Sequence, residues 1–168
     1  IAAYGPLWFE EPVPPDQPEA MAEIARAVPV PVATGERLTT MVEFAAVLRT
    51  GAARILQPAL GRAGGLWEGR KIAAMAQAFG AEMAPHLYAG PVEWAANLHL
   101  ATAIPNCLMA ETIETDFHRD LIGGAIEVEG GHAELSSEPG LGIAFDEELA
   151  RAHPRTGAGL PLQMQEAP

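Results

Sequence analysis

The sequence predicts an α/β fold in which short parallel strands alternate with helices. Short apolar runs recur with centres about 23 to 28 residues apart, which is the length of one strand plus one helix. Between them lie alanine-rich stretches whose apolar residues have helical spacing. The 168 residues, 49% of them hydrophobic, can fill one core, as a domain or as a piece of a larger one. The pattern indicates a parallel sheet covered by helices, in either a barrel or a doubly wound sheet.

The predicted strands and helices alternate along the first two thirds of the chain. Strands are predicted at residues 6–9, 29–33, 53–56, 82–84 and 107–110, and helices at 18–27, 40–50, 65–79 and 92–103. Asp16 and Pro18 suit the start of the first helix, and Thr39 suits the start of the second. Gly51 and Gly80 stand where glycine commonly ends a helix.

Five strands are too few to close an eight-stranded barrel, which needs about 250 residues. After Leu121 the chain becomes rich in glycine, and short apolar runs at 125–128 and 133–135 predict a hairpin. We therefore divide the chain into a strand-and-helix part (residues 1–122), a closing hairpin and coil (residues 123–153) and a flexible tail (residues 154–168).

Charge and composition exclude several classes of function. The net charge is −12 and Lys71 is the only lysine, so nucleic acids and anionic membranes are repelled. No apolar run approaches the roughly 18 residues of a membrane span. The single cysteine, Cys107, allows neither an internal disulfide nor a cysteine-based zinc site. We expect a cytoplasmic protein and, because the chain starts at Ile1 without a methionine or a signal peptide, a fragment.

A polar side chain stands at the end of each predicted strand. These residues are Glu10, Glu36, Gln57, His86 and Glu111. Each alone could be a solvated loop residue, but charged groups beside apolar strands are costly unless they are paired or bound to metal. Barrels hold their catalytic groups at the carboxyl ends of the strands. The sequence therefore predicts one polar site at that end of the sheet.

A set of motifs surrounds these five residues. They are Trp8-Phe9-Glu10-Glu11-Pro12, Thr34-Gly35-Glu36, Leu56-Gln57-Pro58-Ala59 with Gly61-Arg62-Ala63-Gly64-Gly65, Pro85-His86 with Gly90-Pro91, and Ala110-Glu111 followed by Pro139-Gly140-Leu141-Gly142. Their order and spacing over residues 7–146 resemble the mandelate racemase and muconate lactonizing branch of the enolase superfamily. The resemblance implies a (β/α)7β barrel of the TIM type, of which this chain is similar to strands four to eight. It also implies an N-terminal α+β capping domain and three earlier strands, which this chain does not show.

The resemblance implies roles for four of the strand-end residues. Glu10 and Glu36 match the second and third ligands of a Mg²⁺ ion, and the first ligand is an acid on an earlier strand. Carboxylates with room for substrate oxygens suit Mg²⁺. His86 matches a residue that takes or gives a proton, and Glu111 matches a carboxyl group that hydrogen-bonds the substrate's carboxylate. The implied chemistry removes the proton next to that carboxylate while Mg²⁺ stabilises the resulting charge.

One position departs from the family pattern. An aspartate normally orients the histidine, and Ala59 stands at its position. A carboxylate there would hold the imidazole tautomer and raise its basicity. Without it we expect His86 to be a weaker base, which favours His86 as the acid that protonates a leaving hydroxyl over two-base racemisation. The alternative is a protein that has lost activity.

The leading hypothesis for function is a Mg²⁺-dependent lyase. It would dehydrate a sugar acid, an aldonate or an aldarate, by removing the α-proton and eliminating the β-hydroxyl. The resemblance provides the substrate class, and polar loop residues near the last strands support it. Among these, Tyr88, His118 and Arg119 are the candidate substrate-binding residues, and Glu114 and Asp116 lie beside them.

Three other hypotheses remain open at this point. The first is a racemase, epimerase or cycloisomerase of the same branch, and the second is a non-catalytic half-barrel. The third is a phosphate-binding barrel, which rests on the glycines of residues 61–65 and makes Glu10 and Glu36 structural. For the 168-residue chain alone we expect weak Mg²⁺ binding and no turnover. We also expect self-association or binding to the missing N-terminal half, because an open parallel sheet leaves its edges uncovered.

Overall fold

The computed structural model describes residues 2–113 and 115–154. Within these ranges, four parallel strands form a sheet in the order β1-β2-β3-β4. They are β1 (Phe9–Glu10), β2 (Val32–Thr34), β3 (Ile55–Leu56) and β4 (Glu82–Met83). The register pairs Glu10 with Ala33, Thr34 with Leu56, and Ile55 with Glu82. This confirms the predicted parallel α/β fold, and the sequential strand order matches a barrel because a doubly wound sheet reverses its order midway.

The fifth predicted strand, at residues 107–110, is reduced to a single bridge. Cys107 pairs in parallel with Met83, whose amide donates to the Asn106 carbonyl at 2.8 Å. The Leu108 amide donates in turn to the Met83 carbonyl at 2.8 Å. Further along, the Glu111 amide reaches the Pro85 carbonyl at 3.3 Å. The segment therefore runs beside β4 in the predicted direction and brings Glu111 to the same end of the sheet as the residues that follow β4.

Helices connect the strands on the predicted pattern. The long ones are α1 (Pro18–Ala27), α2 (Met41–Thr50), α4 (Gly65–Ala78) and α5 (Pro91–Ala103), each within a residue of its predicted bounds. The short helices are α3 (Leu60–Ala63), α6 (Asp116–Leu121) and α7 (Glu147–Ala152), and a 3₁₀ turn covers Ala2–Tyr4. Among the described residues, no helix combines the length and the apolar character needed to cross a membrane.

The helix ends differ from the prediction in detail. Thr40, and not Thr39, caps α2: its hydroxyl accepts from the Glu43 amide at 3.4 Å while the Glu43 carboxylate accepts from the Thr40 amide at 2.8 Å. Gln17 occupies the cap of α1 without a side-chain hydrogen bond, so the predicted role of Asp16 is wrong. Gly51 ends α2 in the left-handed conformation, as predicted.

Two apolar clusters hold the helices in place. The larger one lies between the sheet and helices α1, α2 and α4, and its fully buried side chains include Phe44, Leu56, Ile72 and Met83. The smaller one joins α5 to the closing segment through Leu87, Trp94, Leu98, Ile122 and Ile126. Because Leu87 directly follows His86, this second cluster anchors the loop that carries the predicted catalytic histidine.

A two-stranded hairpin follows the strand-and-helix part, as predicted. Its strands, β5 (Val128–Glu129) and β6 (His132–Ala133), pair antiparallel across Gly130 and Gly131. Both glycines have positive φ, of 58° and 80°, which a two-residue hairpin turn requires. The predicted tail begins at Pro154, and its remaining residues, 155–168, lie outside the described residues.

We expect Thr40→Ala to lower the free energy of unfolding by about 1 kcal/mol, because the variant loses the hydroxyl that caps α2. Hydrogen bonds from Thr40, chiefly its hydroxyl, and from Thr39 hold the pKa of Glu43 below its ordinary value. A lowered carboxyl pKa stabilises the fold at neutral pH, and the gain is lost as pH falls through the folded-state pKa. The difference between wild type and variant should therefore shrink below about pH 4.

Urea unfolding of the full-length protein at neutral and acidic pH measures this effect. Thr102→Ala is the matched control, because Thr102 is exposed inside α5 and donates only to carbonyl groups of its own helix. An equal loss in both variants, or a loss that does not change with pH, would contradict the capping role of Thr40.

Candidate active site

The strand-end residues predicted from the sequence meet at one end of the sheet. Two sets of contacts connect them, one between Glu10 and Gln57 and one that joins Glu36, His86 and Glu111. Parallel strands in sequential order place their carboxyl ends side by side, which is why residues far apart in the sequence come together here. Glu10, Gln57 and Glu111 line one pocket of about 190 Å³.

Glu10 lies in β1 itself and is held by two donors. Its Oε2 accepts from Gln57 Nε2 at 2.7 Å and from Trp8 Nε1 at 3.0 Å. Gln57 is 6% exposed, and its Oε1 is buried with no hydrogen-bond partner among the described residues. Trp8 also packs against the small cluster of Ala33, Ile55 and Ala84 on the inner face of the sheet. These contacts fix the Glu10 carboxylate at the mouth of the pocket.

His86 is held through its ring and its backbone. Its Nδ1 lies 2.7 Å from Glu111 Oε2 and 3.5 Å from Glu36 Oε2. The Leu87 amide donates to the same Glu111 oxygen at 2.8 Å. The His86 carbonyl accepts from Asn97 Nδ2 at 3.1 Å, and Asn97 is fully buried in α5. A histidine with an anchored backbone and an acceptor at Nδ1 can take or give a proton only at Nε2.

Gly35 allows the ends of β2 and β3 to approach each other closely. Its φ is +146°, and a Cβ atom built there would lie 2.7 Å from the Gln57 backbone nitrogen. Neither backbone can yield, because the Gln57 amide donates to the Thr34 carbonyl at 2.9 Å. Glycine at this position therefore sets the spacing between Glu36 and Gln57.

Glu11 follows Glu10 directly but makes different contacts. Its Oε1 accepts from the Thr34 hydroxyl at 3.0 Å, and its Oε2 accepts from Arg37 Nε at 2.7 Å. The backbone of Glu11 has a φ of +37°, which is unusual for a residue with a side chain. Thr34 and Arg37 engage both carboxylate oxygens of Glu11, whereas the two donors to Glu10 reach the same oxygen, Oε2.

The predicted substrate-binding residues divide into two groups. Tyr88 and His118 line a second, open pocket of about 310 Å³ together with Ala89 and Ile113. Tyr88 is 85% exposed, and His118 Nδ1 lies 3.3 Å from the Ile113 carbonyl oxygen. Arg119 is not in the lining of this pocket, because its guanidinium pairs with Asp116 at 2.6 Å on the same helix. Glu114 lies outside the described residues.

The glycine-rich segment 61–65 does not offer a free phosphate cradle. The Gly61 amide donates to Glu93 Oε1 at 2.9 Å, and a Cβ atom at Gly61 would lie 2.6 Å from Glu93 Oε2. A carboxylate thus occupies the position where an anionic ligand would need to bind. The phosphate-binding alternative is therefore disfavoured, because a phosphate here would meet negative charge.

Two of the predicted metal ligands offer the donor type that Mg²⁺ prefers. Glu10 and Glu36 contribute carboxylate oxygens, and Mg²⁺ is commonly bound by one or two protein carboxylates together with substrate oxygens. Within residues 2–113 and 115–154, no group of three or more acidic, histidine or cysteine side chains is close enough to hold a metal ion. The described residues thus fit Mg²⁺ in donor chemistry and supply part of a ligand set.

Two contributors to the site, Trp8 and Asn97, could not be recognised from the sequence. Trp8 lies in a motif beside Glu10, but its hydrogen bond to Glu10, like that of the predicted Gln57, depends on side-chain direction. Asn97 lies in the middle of α5, and its signal in the sequence is an amide side chain among apolar residues of a predicted helix. Buried polar groups require partners, so such a residue points to a specific contact.

The sheet is parallel, helices connect its strands, and acids, an amide and an imidazole lie around a pocket at its carboxyl end. These features define part of an α/β barrel with a candidate site at the position usual for barrels. Comparison with known families identifies the class more closely. The family model described as "Enolase C-terminal domain-like" matches residues 1–149, and the chain belongs to this family.

Curated relatives are similar over most of the chain. A D-gluconate/D-galactonate dehydratase from Picrophilus torridus is 39% identical over 149 residues, which cover 87% of this chain and 38% of that protein. A D-galactonate dehydratase from Cronobacter sakazakii is 39% identical over 156 residues, which cover 88% of this chain and 41% of that protein. The chain thus spans about two fifths of the length of these relatives.

Solved structures agree with this fold. A mandelate racemase/muconate lactonizing enzyme-like protein from Roseovarius sp. TM1035 matches with a TM-score of 0.93 and 67% identity, covering 100% of this chain and 42% of that one. An enolase from Pantoea ananatis, solved with bound D-gluconate and Mg, matches with a TM-score of 0.85 and 28% identity, covering 93% and 38%. The predicted branch of the enolase superfamily, and the position of this chain in the C-terminal half of the barrel, are confirmed.

Proposed function

We propose that the protein containing this chain is a Mg²⁺-dependent dehydratase, a lyase, that acts on a sugar acid of the aldonate or aldarate class. The observation that carries the proposal is the contact chain of Glu36, His86 and Glu111 beside the pocket lined by Glu10. It combines oxygen ligands for a cation with an imidazole that can move a proton. Relatives that are dehydratases of gluconate and galactonate support the substrate class, and the gluconate and Mg bound in a similar structure support the cofactor.

Each residue has a defined task in this reaction. A base outside this chain takes the proton from the carbon next to the substrate's carboxylate, and the following carbon loses its hydroxyl group as water. Because its Nδ1 is engaged by Glu111, His86 takes up a proton at Nε2 and passes that proton to the leaving hydroxyl. Glu10 and Glu36 hold Mg²⁺, which when bound supplies positive charge that stabilises the substrate's carboxylate after the proton is lost. Tyr88 and His118, which line the neighbouring pocket, bind the distal hydroxyl groups.

The proposal extends to the setting of the protein. The substrate is a small carboxylate, and the protein acts in the cytoplasm without nucleic acid or membrane. Mg²⁺ requires more ligands than Glu10 and Glu36 supply, so the isolated 168-residue chain is inactive and binds Mg²⁺ weakly. The sheet ends at β1 and needs a neighbour, either the N-terminal half of the barrel or another subunit of a homo-oligomer.

Assay of the full-length protein against a panel of aldonates and aldarates tests the proposal. With Mg²⁺ present, at least one acid should yield a 2-keto-3-deoxy product. The product is detected by its ketone signal and by a mass that is lower than that of the substrate by one water. EDTA should abolish turnover, and added Mg²⁺ should restore it. Deuterium exchange or epimerisation without loss of water would instead identify the racemase or epimerase alternative. The absence of both reactions across the panel would overturn the proposal.

A further inference from the structure

Ala59, the backbone neighbour of His86 on the adjacent strand, provides no hydrogen-bond acceptor for the imidazole ring. The backbone register pairs Ala59 directly with His86, and Ala59 is 6% exposed. A methyl group accepts no hydrogen bond, so residue 59 cannot orient the imidazole in this chain. The resemblance implies an orienting aspartate at this position, and its absence predicts that His86 is a weaker base.

A carboxylate reaches the imidazole from the opposite side. Glu111 Oε2 lies 2.7 Å from His86 Nδ1, a distance typical of a charge-assisted hydrogen bond. The Leu87 amide donates to the same oxygen at 2.8 Å, which fixes the carboxylate relative to the backbone of the histidine loop. Glu36 is a poorer candidate, because its oxygen lies 3.5 Å from Nδ1.

We propose that Glu111 is the positioning residue of His86 and replaces the carboxylate that is absent at position 59. Acceptance at Nδ1 keeps the proton on that nitrogen and leaves Nε2 for exchange with a substrate. This rests on the proposed function for its catalytic consequence, but the orientation of the ring is a property of the substrate-free protein. By the same argument, Ala59→Asp alone should have little effect, because Glu111 already supplies a carboxylate to His86.

The orientation can be measured without substrate. Nitrogen NMR of ¹⁵N-histidine-labelled full-length protein should show His86 with a protonated Nδ1 and an unprotonated Nε2. In Glu111→Ala this preference should be lost, and in the double variant Ala59→Asp/Glu111→Ala it should return. His86→Asn assigns the signal. An unchanged His86 signal in Glu111→Ala would overturn the proposal, whether or not the protein dehydrates sugar acids.

Kinetics on a sugar acid that the protein turns over provide the second readout. Glu111→Ala should lower kcat by about 10- to 100-fold, as loss of a histidine's partner generally does. Adding Ala59→Asp to Glu111→Ala should raise kcat again by at least about tenfold. Adding Ala59→Asn instead should not raise kcat, because asparagine provides no carboxylate. Rescue also shows that the fold is intact. Glu127→Gln, at an exposed position, is the control for a lost surface charge.

Two results would contradict the positioning role. If Glu111 acted only by binding the substrate's carboxylate, Glu111→Ala would raise KM more than it lowers kcat, and Ala59→Asp would rescue neither. If Glu111→Ala lowered kcat further in a His86→Asn background, Glu111 would act independently of His86. Failure of the whole sugar-acid panel would refute the proposed function alone, because the NMR measurement needs no turnover.

Discussion

Replacement of His86 by asparagine should lower the dehydration rate of the full-length protein by about 100- to 10,000-fold, the usual contribution of a general acid or base. Asparagine retains hydrogen bonding and approximate size but cannot deliver a proton. The backbone contacts of His86 with Asn97 and Pro58 do not involve the ring, so the loop should keep its position. Steady-state kinetics at saturating substrate measure the loss.

The control for this experiment is His132→Asn. His132 is exposed in the hairpin and should tolerate the change with full activity. If His86→Asn kept full dehydratase activity across the panel, His86 would not be the acid. Tyr88→Phe and His118→Asn would then identify the donor, because both residues line the neighbouring pocket.

Replacement of Glu10 by glutamine should weaken Mg²⁺ binding by more than about 100-fold, since residues that merely support metal ligands already cost 10- to 100-fold. Glutamine keeps the shape of the side chain and removes its negative charge. Titration calorimetry of the full-length protein with Mg²⁺ measures the affinity directly. Turnover at a fixed, low Mg²⁺ concentration should fall in parallel.

The adjacent residue provides a matched control for Glu10. Glu11→Gln removes the same charge one position away, but the contacts of Glu11 go to Thr34 and Arg37. We expect this variant to lose stability through the broken ion pair and to keep Mg²⁺ affinity within about threefold, because an ion pair near the surface contributes little beyond its own contact. Equal losses of affinity in both variants would remove Glu10 from the ligand set.

The strand-end residues show how far the sequence carries the prediction. Glu10, Glu36, His86 and Glu111 each stand at the end of an apolar run, and the repeat length of a strand plus a helix predicts a parallel sheet. Parallel strands align their carboxyl ends, so the meeting of these residues follows from periodicity alone. The hairpin around Gly130 was likewise predictable from local turn chemistry.

Details at the helix ends depended on geometry that spacing does not specify. Thr39 and Thr40 are adjacent and chemically identical, and the structure makes Thr40 the cap while Thr39 donates to Glu43 from outside the helix. The predicted strand at 107–110 is also reduced to one bridge, and hydrogen bonds from the Leu108 and Glu111 amides continue its pairing with the β4 segment. One-residue shifts of this kind follow from the backbone dihedral angles of each segment.

By itself, the sequence determined the parallel fold, the end of the sheet that holds the site and the residue types placed there. Tertiary structure alone decided which of these residues touch. Ala59 and Glu111 flank His86 from two different neighbouring segments, and whether the second replaces the carboxylate missing at the first depends on a distance of 2.7 Å. Strand periodicity specifies position along the chain, whereas a hydrogen bond depends on side-chain direction and sheet stagger, which are set by packing between segments distant in sequence.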